Sequence, residues 1–114
     1  MADCLFCKIA TGTIPCTEVH ADDDFLAFRD IDPKAPTHIL VIPRRHVAGL
    51  AELKEGDADL ANGLLSTAVQ VAATEGLVEK GYRFVINQGT HGGQSVGHLH
   101  LHILGGRQME WPPG

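Results

Sequence analysis

The chain has 114 residues, 44% of them hydrophobic and 20% charged, and its 14 acidic against 9 basic side chains give a formal charge of -5. That length carries one modest core, and the composition excludes collagen-like, mucin-like and largely disordered chains. With no basic run longer than Arg44-Arg45, the chain lacks the cationic face that a phosphate backbone requires, so no nucleic-acid partner is expected.

Residues 1–114 read as a single domain without repeats or linkers. Asp3 is placed to cap a short helix from Cys4 to Ala10, stopped at Gly12, with Leu5, Phe6 and Ile9 on its apolar side. Val19 to Ala21 and Phe25 to Arg29 read as two strands joined by the acidic turn Asp22-Asp23-Asp24. After Pro33 and Pro36, the β-branched run Thr37 to Ile42 is the clearest central strand, and Pro43 ends it. Leu60, Leu64, Ala68, Val71 and Ala72 recur at three or four residues, which predicts one long amphipathic helix over Asp57 to Val78. Tyr82 to Asn87 reads as a strand, Gly89 to Gly97 as a glycine-rich loop, and His98 to Leu104 as a last strand before an extended tail ending Trp111-Pro112-Pro113-Gly114. Strands on both sides of one major helix imply an α+β domain with an antiparallel sheet. No stretch approaches the roughly 20 apolar residues of a membrane span and the Met-Ala-Asp-Cys start is no leader peptide, so no membrane partner and a cytoplasmic setting are expected.

Histidine is the compositional outlier, with seven residues, three of them in His98-Leu99-His100-Leu101-His102. In a strand this spacing puts the three imidazoles on one face and Leu99, Leu101 and Ile103 on the other. Crowded imidazoles repel when protonated, which keeps at least one ring neutral near pH 7 and available as a nucleophile or metal ligand. Upstream, Asn87 to Gly97 supplies flexible backbone whose N–H groups can converge on an anion, with Ser95 as a hydroxyl donor. His91 within it reads as a solvated loop residue.

The run His98 to Leu104 resembles the histidine triad family, and Gly92-Gly93-Gln94-Ser95-Val96 resembles its Hint-like branch. Phe28-Arg29-Asp30-Ile31, Ala35-Pro36-Thr37-His38 and the tail from Gly105 are similar to the same branch. The resemblance implies a homodimer with a five-stranded antiparallel sheet, one long helix and a short N-terminal helix. It implies a purine nucleoside phosphoramidase that cleaves adenosine or guanosine 5'-phosphoramidates to an amine and the nucleoside monophosphate. By that resemblance His100 is the nucleophile, flanked by His98 and His102, with His38 as the fourth active-site histidine. Asn87, Gly93 and Ser95 match phosphate and leaving-group contacts, and Asp30 matches the ribose-binding carboxylate. Leu5, Phe6, Ile9, Phe28, Ile31 and Leu40 match the purine pocket, and Trp111 matches a tail residue that reaches the partner's site. Gly97, where an aromatic is common, and Glu110 depart from the pattern, so the preferred amine is not carried over.

Cys4 and Cys7 put two thiols on the first helical turn, the bite of a tetrahedral zinc site that needs two more ligands. His46 and His98 are the candidates, as in the zinc-binding subset that the chain resembles. A structural Zn2+ would then hold the helix to the sheet, with no metal in the chemical step. Two other readings stand beside the phosphoramidase: a zinc phosphohydrolase with its metal held by the triad itself, and a non-catalytic nucleotide-binding module.

Overall fold

The computed structural model describes residues 3–114. Its elements are α1 (Leu5–Ala10), β1 (Glu18–Ala21), β2 (Phe25–Arg29), β3 (Thr37–Pro43), α2 (Ala58–Thr74), β4 (Tyr82–Val85), α3 (Gly89–Gly92) and β5 (Leu101–Gly105). The five strands form one sheet in the order β1-β2-β3-β5-β4, every neighbouring pair antiparallel. This is the α+β architecture expected, and among the described residues no helix is long and apolar enough to cross a membrane.

Each face of the sheet has its own core. Ala27, Ile39, Val41, Leu99, Leu101 and Ile103 pack under Leu64, Ala68, Val71 and Ala72 of α2. On the other face Leu26, Phe28, Leu40 and Ile42 pack with Phe6 of α1. β3 is buried on both faces, which is why its sequence is an unbroken apolar run instead of an alternation. Full burial of each large aliphatic side chain here contributes about 1.5–3 kcal/mol.

Several boundaries differ from expectation. Cys4, not Asp3, caps α1: its Sγ accepts the Cys7 N–H at 3.3 Å. α2 ends at Thr74, short of Val78, because Gly76 takes φ 76° and the amides of Gly76 and Leu77 turn back to the carbonyls of Ala73 and Ala72. Leu77 then tucks over Gly105, where a Cβ would lie 2.7 Å from its side chain. Pro43 closes β3 from within, paired with Phe25.

The last strand begins at Leu101, three residues later than expected. The register that pairs Val41 with Leu101 would bring Leu99 opposite Pro43, which has no N–H to give. Leu99 instead donates to the Val47 carbonyl at 2.6 Å, so His98 to His100 run beside the sheet as an extended lead-in. β4 stops at Val85, opposite His102, and Asn87 falls opposite His100, which lies outside β5. The side-chain alternation survives: Leu99, Leu101 and Ile103 are buried on the α2 side and the histidines lie on the α1 side.

Candidate functional site

The three row histidines are in three different environments, and their backbone partners decide which nitrogen of each ring carries the proton. His98 is fully buried, and its Nε2 donates to the Pro43 carbonyl at 2.8 Å. A neutral His98 therefore keeps a lone pair on Nδ1, which lies 3.3 Å from Cys4 Sγ and 3.5 Å from Cys7 Sγ. His46 brings its Nδ1 to 3.3 Å from Cys7 Sγ, and the four ligand atoms lie within 4.8 Å of one another. Sulfur and nitrogen ligands on one tetrahedral zinc stand about 3.5 Å apart, so the donor set, its spacing and the His98 tautomer all fit that ion.

His100 is 3% exposed and donates from Nδ1 to the His98 carbonyl at 2.7 Å. Its Nε2 has no partner among the described residues, and no buried side-chain nitrogen there lacks one, so this lone pair touches solvent. Phe6 sets its edge or face against both rings, 5.1 Å from His100 and 6.0 Å from His98 between centroids, and holds α1 on the row.

His102 belongs to a second chain of contacts. The Lys34 backbone N–H donates to His38 Nδ1 at 3.0 Å, which places the His38 proton on Nε2. That Nε2 donates to His102 Nδ1 at 2.9 Å, and so His102 carries its proton on Nε2. Asp30 Oδ2 stands 3.5 Å from the same His38 nitrogen, while its Oδ1 accepts the Asp32 N–H. Burial pushes the His38 pKa below the ordinary histidine value, and burial together with the His100 and His38 rings pushes His102 down to about 4. Both are neutral donors and acceptors at pH 7.

The donor atoms of Asp30, His38 and His102 are close enough to suggest a second metal group. The protonation pattern argues against one: an ion on His38 Nε2 would displace its proton to Nδ1 and break the bond from Lys34, the reverse of the outward N–H that supports a ligating histidine. The three row imidazoles form no shared ligand set among the described residues, because their nitrogens face the cysteines, solvent and His38 in turn. That removes the geometric basis for a metal held by the triad.

The glycine-rich loop is more ordered than its composition suggests. Its first half winds into α3, closed by Gly93 at φ 77°. The Gln94 side chain accepts the Gly89 N–H and donates to the carbonyls of Ala48 and Val96. The amides of Gly93 and Gln94 are thereby used within the loop, and those of Ser95, Val96 and Gly97 are left without a partner among the described residues. Ser95 and Gly93 are exposed and Asn87 half-buried.

Of the expected pocket residues, Phe6, Phe28 and Leu40 are buried in the α1-side core with Ile9 packed against them. Leu5, Ile31 and Trp111 stand in solvent, Ile31 fully so and Trp111 at 83% exposure. His91 is exposed as expected, but it lies on α3 and not in a loop.

The model of the HIT domain matches residues 11–109, nearly the whole chain. The chain belongs to the HIT family. It is 54% identical to a 14 kDa zinc-binding protein of Zea mays over 96% of this chain and 87% of that protein. It is 53% identical to Adenylylsulfatase HINT1 of Arabidopsis thaliana over 96% and 76%. Among solved structures, the HIT family hydrolase from Legionella pneumophila Philadelphia 1 superposes with TM-score 0.97 at 54% identity over 98% of this chain and all of that one. A Zn-bound histidine triad family protein from Mycobacterium smegmatis superposes at 0.82 with 33% identity, over 93% and 76%.

Three groups that organise this HIT site escape sequence reading. The Lys34 N–H and the Pro43 carbonyl are backbone atoms and leave no residue-type signal. Gln94 was legible only as one polar residue in a glycine loop, yet it ties that loop to Ala48. Gly49 makes room for it and for Gln88, since a Cβ there would lie 3.2 Å from Gln94 Oε1 and 2.5 Å from Gln88 Oε1.

Proposed function

We propose that this HIT protein is a nucleotide hydrolase that cleaves the P–N bond of purine nucleoside 5'-phosphoramidates through a nucleotidyl-His100 intermediate. The observation that carries the reading is the tautomer of His100: with Nδ1–H committed to the His98 carbonyl, the free lone pair is on the solvent-touching Nε2. In the first step Nε2 forms a bond to the α-phosphorus while the P–N bond breaks, and Ser95 relays a proton to the departing amine. In the second step water adds to phosphorus, the N–P bond breaks and His100 returns to its neutral form.

The other residues serve this displacement. The free amides of residues 95–97 and the Asn87 side chain take the phosphate oxygens, where fixed donors act on developing negative charge, while Gly93, whose N–H is used on Thr90, serves only as the turn that presents them. His102, kept neutral and holding its proton on Nε2, donates to a phosphoryl oxygen, and His38 holds it in that state. Asp30 receives the ribose hydroxyls, and Ile9, Ile31 and Leu40 with Phe6 and Phe28 form the purine side. A zinc ion held by Cys4, Cys7, His46 and His98 supplies a rigid cross-link between α1 and the row and takes no part in the displacement. The relative named adenylylsulfatase makes adenylyl sulfate a substrate to assay beside the phosphoramidates.

The working form is a homodimer. The outer edge of β4 is unpaired in the sheet, and Leu65 and Val69 expose one apolar stripe of α2, surfaces that a second copy buries together. The exposed Trp111 then lies against the partner's leaving-group side. The deciding experiment is turnover of a fluorogenic adenosine phosphoramidate with a denaturing quench and mass analysis. A nucleotidyl adduct on His100 supports the reading, and an active His100→Ala enzyme refutes it.

A further inference from the structure

Cys4 and Cys7 are placed for a second chemistry besides metal ligation. They occupy the cap and the third position of α1, their sulfur atoms lie within 4.8 Å, and both contact the same nitrogen, His98 Nδ1. Both are half-buried and no disulfide joins them. Cys4 also lines a cleft of about 450 Å³ with Asp3, Leu5, Ser95, Val96 and Gly97, so a small oxidant has a path to its sulfur. Where a thiol is accessible and a second stands one helical turn away, oxidation of the first is resolved by the second.

We propose that Cys4 and Cys7 form a reversible disulfide that competes with zinc for the same two sulfur atoms and controls the histidine row. A peroxide supplies the oxidising equivalents. The Cys4 thiolate attacks one peroxide oxygen, the O–O bond breaks, and Cys4 sulfenic acid and one water form. The Cys7 thiol then displaces the second water as the S–S bond closes, and any bound zinc leaves as Zn2+. A dithiol reductant reverses the oxidation by exchange.

The consequence reaches the nucleophile through His98. Its Nδ1 loses both thiolate neighbours, and its backbone carbonyl is the group that orients His100 Nδ1. Phe6, between the two cysteines in sequence, packs on both rings, so tightening this turn moves the wall of the row as well. The disulfide chemistry stands independently of the hydrolase reading, and only its effect on turnover rests on it.

The test uses the full zinc-loaded chain carrying Cys16→Ser, which removes the exposed third thiol. Hydrogen peroxide is titrated while a chromophoric chelator reports zinc, and the peptide ending at Lys8 is weighed. The expected result is loss of two hydrogens from that peptide, one zinc released per disulfide, shifted imidazole resonances of His98 and His100, and a fall in turnover of about tenfold that dithiothreitol with added zinc restores. Sulfinic acid on Cys4 with Cys7 still open to alkylation overturns the disulfide. A disulfide that leaves the resonances and turnover unmoved overturns the control of the row. A protein with no phosphoramidase activity defeats the hydrolase reading alone, because mass, zinc and resonances still decide this one.

Discussion

Acid sensitivity is a direct consequence of the half-buried ring of His102. Folding holds its pKa at about 4, against 6.5 for an ordinary histidine, because burial and two neighbouring imidazoles disfavour the charged form. Between those two values the unfolded chain binds a proton that the folded chain refuses, so stability is fully present above pH 6.5 and is lost as the pH falls toward 4. The gap corresponds to about 3 kcal/mol, and solvent contact of the half-buried ring trims it to about 2. Burial lowers the His38 and His98 values too and acts in the same direction. His102→Gln removes the titrating ring and keeps an oxygen that accepts from His38 Nε2. Urea unfolding of both proteins at pH 7 and pH 4.5 should show the wild type losing about 2 kcal/mol more than the variant. Equal losses in the two proteins would refute the assignment of this acid sensitivity to His102.

Cys7→Ser should abolish stoichiometric zinc and lower the melting temperature by several degrees, checked by elemental analysis and calorimetry on the same sample. His100→Ala should reduce turnover by about a thousandfold or more while nucleoside monophosphate affinity, measured by calorimetry, stays within a few-fold of wild type. Phe6→Ala should cost about 3–4 kcal/mol, because it empties a fully packed contact with Phe28, His98 and His100, and chemical denaturation reads that loss. Gly76→Val should cost more than about 1 kcal/mol, since a β-branched residue resists the φ of 76° on which the end of α2 depends.

Much of this protein was legible in its sequence, because the features concerned are local. The period of two in His98 to Ile103 separated the histidines from the leucines, and that separation holds even where the residues leave the ladder. The three-to-four spacing from Leu60 to Ala72 identified the helix that covers one face, and Cys4 with Cys7 announced the thiol pair that gathers with His46 and His98. The end of α2 was also written locally, in Gly76, but only the Leu77 contact on Gly105 shows that the chain turns back there.

What the tertiary structure alone decided is which nitrogen of each histidine is free. That choice is made by the carbonyls of Pro43 and His98 and by the amide of Lys34, atoms every residue type possesses and whose positions depend on how β3, β5 and the turn before β3 pack. Three identical side chains thus come to differ, one with its lone pair toward the cysteines, one with a free lone pair on Nε2 and one with its proton on Nε2, because a hydrogen bond at one imidazole nitrogen fixes the state of the other.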